Sequence, residues 1–353
     1  MSDTHVLRAR FGKKTLDTAV IFYYNVSDKN TDFLIGEDIM YRIGVDLGGT
    51  NIAVGIVNEE LQLVKKVSTP TGATRPGEEI VADIAALCKR VCEEIGITLS
   101  DVVSIGIATP GIANHDTGVV EYANNLPFHK FPIADMLKKA LDTDIPVKIE
   151  NDANAAAWGE ACAGAAKGTK NSVMITLGTG VGGGIILDNK VYSGFNYAGG
   201  ELGHIVIEMD GAPCSCGRRG CWEAYSSATA LIRMTREKIE ECKAEGRYTV
   251  MAEAPKVSGR TACDAMRAGD EAGKEVYDKY IKYLACGLTN IINIFQPEVI
   301  SLGGGVSGEG QSLIDSLLPI VRNEQYGGSV VALTDIRIAK LGNDAGIIGA
   351  AML

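Results

Sequence analysis

At 353 residues, 46% of them apolar and 22% charged, the chain is long enough for two domains with a sizeable core, and its balance is globular, not disordered or fibrous. A formal net charge of -10 argues against nucleic acid and anionic lipid as partners, but leaves a nucleotide admissible, because backbone dipoles and Mg²⁺ neutralise phosphates locally. No apolar run is long enough to span a membrane, and the start lacks a signal peptide's order of segments, so the expected setting is the cytoplasm with no membrane partner.

Residues 1–39 mix charges around one short apolar run, Ala19 to Tyr24, and read as a leader ahead of a start at Met40; the alternative is an extension that packs this run as an edge strand. From Tyr41 the strands Ile43–Val45 and Ala53–Val57 are joined by a glycine-centred turn, and Leu61–Ser68 is a third strand. Ile80, Ile84, Leu87, Val91 and Ile95 recur at helical spacing over Glu78–Ile95, which stops at Gly96. Val102–Ala108 is a strand of the buried type, Ile133–Leu141 a helix, Val147–Glu150 a strand and Ala153–Ala163 an alanine-rich helix. Strands Ser172–Leu177 and Gly183–Leu187 flank a second glycine turn. Helices follow at Ala228–Glu245 and Asp270–Phe295, then strand Val299–Leu302, and a last helix starts near Ala345. This alternation is α/β, with ligands expected at strand ends, and the two strand–turn sets at 43–57 and 172–187 imply two related halves on a shared cleft.

The first turn, Asp46-Leu47-Gly48-Gly49-Thr50-Asn51, lets backbone N–H groups approach an anion, adds donors at Thr50 and Asn51, and offers Asp46 to Mg²⁺ through water. Hairpins favour glycine in any case, and the spacing is not that of a Walker loop. The second turn, from Leu177 through Gly178, Thr179 and Gly180 to Gly184, holds five glycines in eight residues, more than a plain hairpin needs. Gly303, Gly304 and Gly305 after a buried strand suit the close approach of a flat base or ribose. Asp152 opens a helix directly after a strand, where it either caps that helix or accepts the proton of a hydroxyl nucleophile in phosphoryl transfer.

His204, Cys214, Cys216 and Cys221 lie within eighteen residues and form a complete tetrahedral ligand set, so a closed structural zinc site is expected there. The other six of the nine cysteines are scattered, as in a reducing compartment. A zinc loop of this kind would place Glu201 and Glu223 as hydrogen-bonding partners for sugar hydroxyls, and would leave one ring nitrogen of His204 for the ligand.

Five motifs occur in order: DLGGTN at 46–51, ENDANAAAWGE at 150–160, LGTGVGGGI at 177–185, Glu-x-Gly-His at 201–204 and CxCGxxGCxE at 214–223. Together they resemble the ROK family of bacterial sugar kinases and repressors, over about Met40 to Leu353. Asn124–Pro127 (NNLP) and the Glu-x-Gly-His form look most like the family's glucokinases. The resemblance implies an actin/hexokinase-like (ribonuclease H-like) two-domain fold with an interdomain cleft: a smaller domain over 40–150, with the last helix, about 343–353, packed back on it, and a larger one over 151–342 carrying the zinc loop 204–221.

It further implies an ATP-dependent hexokinase-type phosphotransferase making glucose 6-phosphate from glucose and ATP-Mg²⁺, with Asp152 as general base. Asn124, Asn125, Asn151, Glu201, His204 and Glu223 would hold the sugar; Gly48 to Asn51 and Gly178 to Gly180 the ATP phosphates; Gly303 to Gly305 the adenosine. A homo-oligomer of two or four copies is implied as well. Kinases for fructose, N-acetylmannosamine or allose would use the same base and zinc loop, and a sugar-sensing repressor is the non-catalytic alternative; a helix-turn-helix reading of residues 1–39 is disfavoured by their short, irregular pattern and by the acidity of the chain. Trp222 departs from the family pattern, which often has a smaller aliphatic residue there.

Overall fold

The computed structural model describes residues 40–353 and, before them, the backbone of three short strands, β1 (His5–Arg8), β2 (Ile21–Tyr24) and β3 (Leu34–Gly36), which pair antiparallel in the order β1-β2-β3. The remainder of residues 1–39, on which the leader reading rests, lies outside the described residues.

Strands β4 (Tyr41–Leu47), β5 (Asn51–Val57) and β6 (Leu63–Pro70) form an antiparallel meander, followed by helix α1 (Gly77–Glu93) and strand β7 (Val102–Thr109). A small antiparallel sheet of β8 (Ile112–Asn114), β9 (Val119–Tyr122) and β10 (His129–Phe131) leads to α2 (Ile133–Leu141) and β11 (Val147–Asn151). Its strands of three or four residues are too short for an alternating apolar pattern to stand out, and the sequence reading passed over them. The main sheet runs β11-β7-β4-β5-β6, with β7 and β11 parallel to β4.

After α3 (Asp152–Cys162) the plan repeats. Strands β12 (Ser172–Leu177), β13 (Val181–Leu187) and β14 (Lys190–Val191) form a second meander. Helices α4 (Glu223–Ser226), α5 (Ala228–Ala244), α6 (Thr261–Arg267) and α7 (Glu271–Phe295) precede β15 (Val299–Gly303); α8 (Gln311–Glu324), β16 (Asp335–Ile338) and α9 (Ala345–Ala351) complete the chain. This sheet runs β14-β13-β12-β15-β16, with β15 and β16 parallel to β12. Each sheet is therefore a three-strand meander extended by two parallel strands, and the two glycine turns are the tips of equivalent hairpins, β4–β5 and β12–β13.

Local reasons for these elements are plain. Ile80, Ile84, Leu87 and Val91 bury one face of α1, and Glu78 and Glu79 sit favourably in its first turn. Ile43, Val45 and Leu47 of β4 and Ile52, Val54 and Ile56 of β5 are wholly buried in one apolar core; Val173, Ile175, Trp222, Tyr280 and Leu284 belong to a second. Between the sheets, α9 lies on β4 and β7 while α3 lies on β12 and β13, and the two helices pack on each other. Their backbones touch: a Cβ at Gly349 would run into the carbonyl of Ala155, so only glycine fits there. Trp158 Nε1 donates to the Met352 carbonyl at 2.9 Å, and buried Glu160 accepts the Ala165, Lys340 and Leu341 N–H groups, tying the approach to α9 to the end of α3.

Trp222, the departure noted in the sequence, is fully buried. Its indole N–H donates to the Tyr283 carbonyl at 3.0 Å, and its ring fills the space where Gly287 of α7 lacks a side chain. Among the described residues, no helix is long and apolar enough to cross a membrane.

Candidate active site

Strand β11 delivers Asn151 to the mouth of α3, and Asn151 is the residue that caps it: its Oδ1 accepts the N–H groups of Ala153 at 2.9 Å and Asn154 at 3.2 Å. Its Nδ2 donates to the Gly111 carbonyl at 3.1 Å, pinning the turn to the loop after β7. The capping alternative for Asp152 is thereby taken by its neighbour. Asp152 is the first residue of α3, with an exposed side chain whose Oδ1 accepts the Ala153 N–H at 2.8 Å. Solvent reaches this carboxylate, yet protein surrounds it closely enough that loss of solvation is the largest influence on its pKa; the shift is upward, against the lowering effect of the backbone N–H groups.

Asp46, the last residue but one of β4, is in register with Ala108 of β7, which is in turn level with Glu150 of β11. Its carboxyl is pushed up to about 6 by burial first and by the charge of Asp152 second, with Lys66 opposing. Two carboxylates that feel each other thus stand at the same end of the first sheet, a disposition suited to a cation or to a proton acceptor.

The turn Gly48–Asn51 closes with Gly48 N–H on the Asn51 carbonyl at 2.9 Å. Buried Thr71 braces it from behind, Oγ1 donating to the Gly48 carbonyl at 2.6 Å and its N–H to the Thr50 carbonyl at 2.8 Å, which leaves Gly49, Thr50 and Asn51 facing solvent. Asn125 reaches this turn: a Cβ at Gly49 would lie 3.6 Å from the Asn125 Cβ. Asn124, beside it, is exposed and accepts from Tyr122 OH at 3.3 Å.

The turn Gly178–Gly180 is held by the start of α5, where Ala228 N–H donates to the Gly178 carbonyl at 2.8 Å and Thr229 Oγ1 to the Thr179 carbonyl at 2.7 Å. Gly304, with φ of 82°, crosses the carbonyl of Leu177 so closely that the Gly303–Gly305 segment adjoins this turn. Helix α3 is near as well, since Ala153 Cβ lies 4.0 Å from where a Gly182 Cβ would be.

A short 3-10 turn, Leu202–His204, packs Leu202 on Gly183 of β13, and Glu201 precedes it with an exposed side chain. His204 Nδ1 faces Cys214 Sγ at 3.6 Å, and Cys216 and Cys221 sulfurs are 3.7 Å apart; one ligand atom from each of these four residues lies within 4.8 Å of the others. Two antiparallel bridges, Val206 with Cys221 and Pro213 with Arg219, fold the loop back on itself. Glu223, just past the loop, accepts the Val181 N–H on Oε2 and the Ser215 hydroxyl on Oε1, each at 3.0 Å. No direct hydrogen bond joins Asn124, Asn125 or Glu201 to Asp152 among the described residues. Thr71, Ser215 and Thr229 escaped the sequence reading because single hydroxyls carry no spacing signal.

The ROK family profile matches residues 42–353. The chain belongs to the ROK family. Among ROK relatives, the glucokinase of Halalkalibacterium halodurans is 39% identical over 317 residues, 89% of this chain and 94% of that protein. The ROK family glucokinase of Streptomyces griseus, whose crystal structure is a complex with glucose and AMPPNP, superposes with a TM-score of 0.69 at 34% identity, covering 88% of this chain and 98% of that one. The ROK hexokinase of Thermus thermophilus gives 0.73 at 35% identity, covering 89% and 97%. These neighbours place this ROK chain in the hexokinase-like fold that the five motifs lead one to expect.

Proposed function

We propose that this ROK protein is an ATP-dependent glucokinase that transfers the γ-phosphoryl group of ATP to the 6-hydroxyl of glucose. One observation carries the reading: Asn151 takes the capping duty, so Asp152 stands as a solvent-reachable carboxylate of raised pKa beside Asp46, at the strand ends that also bear Gly48–Asn51. The similarity to glucokinases over nearly the whole chain supports the same choice.

In this reading Asp152 accepts the hydroxyl proton as the sugar oxygen bonds to the γ-phosphorus and the bond from that phosphorus to ADP breaks. Asn124, Asn125, Asn151, Glu201, His204 and Glu223 hold the sugar ring. His204 turns Nδ1 to the cysteines, which leaves Nε2 for a sugar hydroxyl. The turns Gly48–Asn51 and Gly178–Gly180 receive the phosphates, and Gly303–Gly305 the adenosine. Mg²⁺, when bound, neutralises the phosphate charge, and Asp46 is the carboxylate placed to hold it through water.

The cysteine loop fits zinc. Bond lengths of about 2.3 Å for Zn–S and about 2.0 Å for Zn–N put tetrahedral ligands about 3.5 to 3.8 Å apart, and the Cys216–Cys221 and His204–Cys214 separations of 3.7 and 3.6 Å agree. His204, Cys214, Cys216 and Cys221 would hold the ion with four protein ligands, and it would then shape the loop instead of taking part in the chemistry. A cytoplasmic setting and an assembly of two or four copies complete the proposal. The deciding experiment follows ADP release with ATP, Mg²⁺ and a panel of glucose, fructose, N-acetylmannosamine and allose; glucose should have the highest kcat/KM, and no turnover with any of them would overturn the kinase reading.

A further inference from the structure

Glu150 belongs to none of the roles above, yet it is the most confined carboxylate near the catalytic turn, with its side chain only 4% exposed. Burying a carboxylate is unfavourable unless donors surround it. Glu150 Oε1 accepts the Asn151 N–H at 2.9 Å and Asn154 Nδ2 at 3.0 Å. Its Oε2 faces His115 Nδ1 at 3.3 Å. Asn151, which precedes Asp152, and Asn154, two residues after it, are therefore held by one carboxylate, and that carboxylate faces one histidine.

His115 sits just after β8, in the first half of the chain, and a residue of the second half closes over it. The Tyr197 ring meets the His115 ring edge-on, centroids 4.9 Å apart at 81°, and the Tyr197 hydroxyl donates to Asp116 Oδ2 at 2.6 Å. Asp116 Oδ1 is 3.5 Å from His115 Nε2, so Asp116 bonds the Tyr197 hydroxyl and lies beside the imidazole. Tyr197 has φ of 64°, a left-handed conformation that a residue with a Cβ adopts only when its surroundings hold it. Four residues further on is Glu201.

We propose that Glu150 and His115 are positioning residues for the Asn151–Asp152 turn, and that Tyr197 clamps His115 from the other half of the chain, so that the catalytic turn is fully ordered only while the two halves touch at this edge. The proposal rests on the kinase reading. It assigns these groups no contact with substrate: they act through Asn151, which would hold the sugar, and through the orientation of Asp152.

The test compares His115→Ala, His115→Gln, Glu150→Gln and Tyr197→Phe with the wild type, using initial rates against glucose and against ATP, and calorimetric glucose titration without nucleotide. Wild-type protein that releases no ADP overturns the glucokinase reading itself, before any variant is compared. Given wild-type turnover, His115→Ala should lower kcat/KM for glucose by about tenfold or more and weaken glucose binding, with the KM for ATP changed less than about twofold. His115→Gln, which restores a donor towards Glu150, should recover most of that loss. Glu150→Gln keeps an acceptor for Asn151 and Asn154 and should cost only a few-fold. Tyr197→Phe, a surface change that removes one hydroxyl, should raise the KM for glucose a few-fold. Unchanged glucose kinetics in both His115→Ala and Tyr197→Phe, or equal losses towards glucose and ATP, would overturn the proposal.

Discussion

Glu223 Oε2 accepts the Val181 N–H at 3.0 Å while its other oxygen accepts the Ser215 hydroxyl at 3.0 Å, so one carboxylate couples the β12–β13 hairpin tip to the cysteine loop. Charge-assisted bonds of this kind contribute roughly 1.5–3 kcal/mol each. Glu223→Ala should therefore raise the KM for both glucose and ATP by about tenfold or more, whereas loss of a sugar contact alone would leave the ATP KM in place. Initial-rate measurements with each substrate varied in turn check this.

Asp152→Asn preserves the shape of the turn and removes the proton acceptor. Turnover should fall by about 10²–10⁴-fold, while calorimetric glucose affinity stays within a few-fold of wild type. Near-normal turnover in this variant would remove Asp152 from its role.

Asp46 and Asp152 give a pH dependence with a defined sign. Both pKa values are raised, Asp46 to about 6, so kcat/KM should decline as pH falls and these carboxylates take up protons. For stability, a carboxyl whose folded pKa exceeds its unfolded value of about 4 contributes its full share below that value and loses it as pH rises through the folded pKa. Asp46→Asn should accordingly stabilise the protein at pH 7, by of order 2 kcal/mol without added Mg²⁺, and the gain should vanish towards pH 4. Urea unfolding across pH 4–8 measures it.

Removing one sulfur from the cysteine cluster should release its ion. Elemental analysis is expected to find about one zinc per chain in the wild type and almost none in Cys216→Ser. The variant should also lose glucose affinity, because His204 and Glu223 are positioned through the loop. Wild-type protein purified without zinc and fully active would count against this.

Trp222 and Gly287 are matched in volume across the second core. Gly287→Ala should improve local helix propensity yet cost stability overall, by roughly 1–3 kcal/mol, because the added methyl meets the indole. Combined with Trp222→Leu the same substitution should be nearly neutral, and a double-mutant cycle in urea would register that coupling.

Much of the site was legible because its groups are neighbours along the chain. Gly48–Asn51 and Gly178–Gly180 announce hairpin tips by composition, and the His204, Cys214, Cys216 and Cys221 spacing announces a ligand set, since loops of that length bring such residues within a few ångströms of one another. Helix Glu271–Phe295 was readable from its long apolar periodicity. Helix Gln311–Glu324 was less so, for it contains Pro319, which ordinarily argues against a helix interior. The strands around Ile112–Phe131 carry too few residues for any period to register.

The amino-acid order, read without coordinates, was enough to establish the α/β plan, the two equivalent hairpins, the family, and the residue types gathered at each turn. The family follows from the likeness of five motifs to the ROK pattern, the rest from local backbone preference and short-range spacing. Folding alone decided that Asn151 caps α3 in place of Asp152, that Asp46 feels the charge of Asp152, that Gly287 makes room for Trp222, and that His115 lies between Glu150 and the Tyr197 ring. Those outcomes depend on which distant groups supply a buried atom's hydrogen bonds and exclude its water. Both conditions are set by packing between segments far apart in the chain, which no local pattern records.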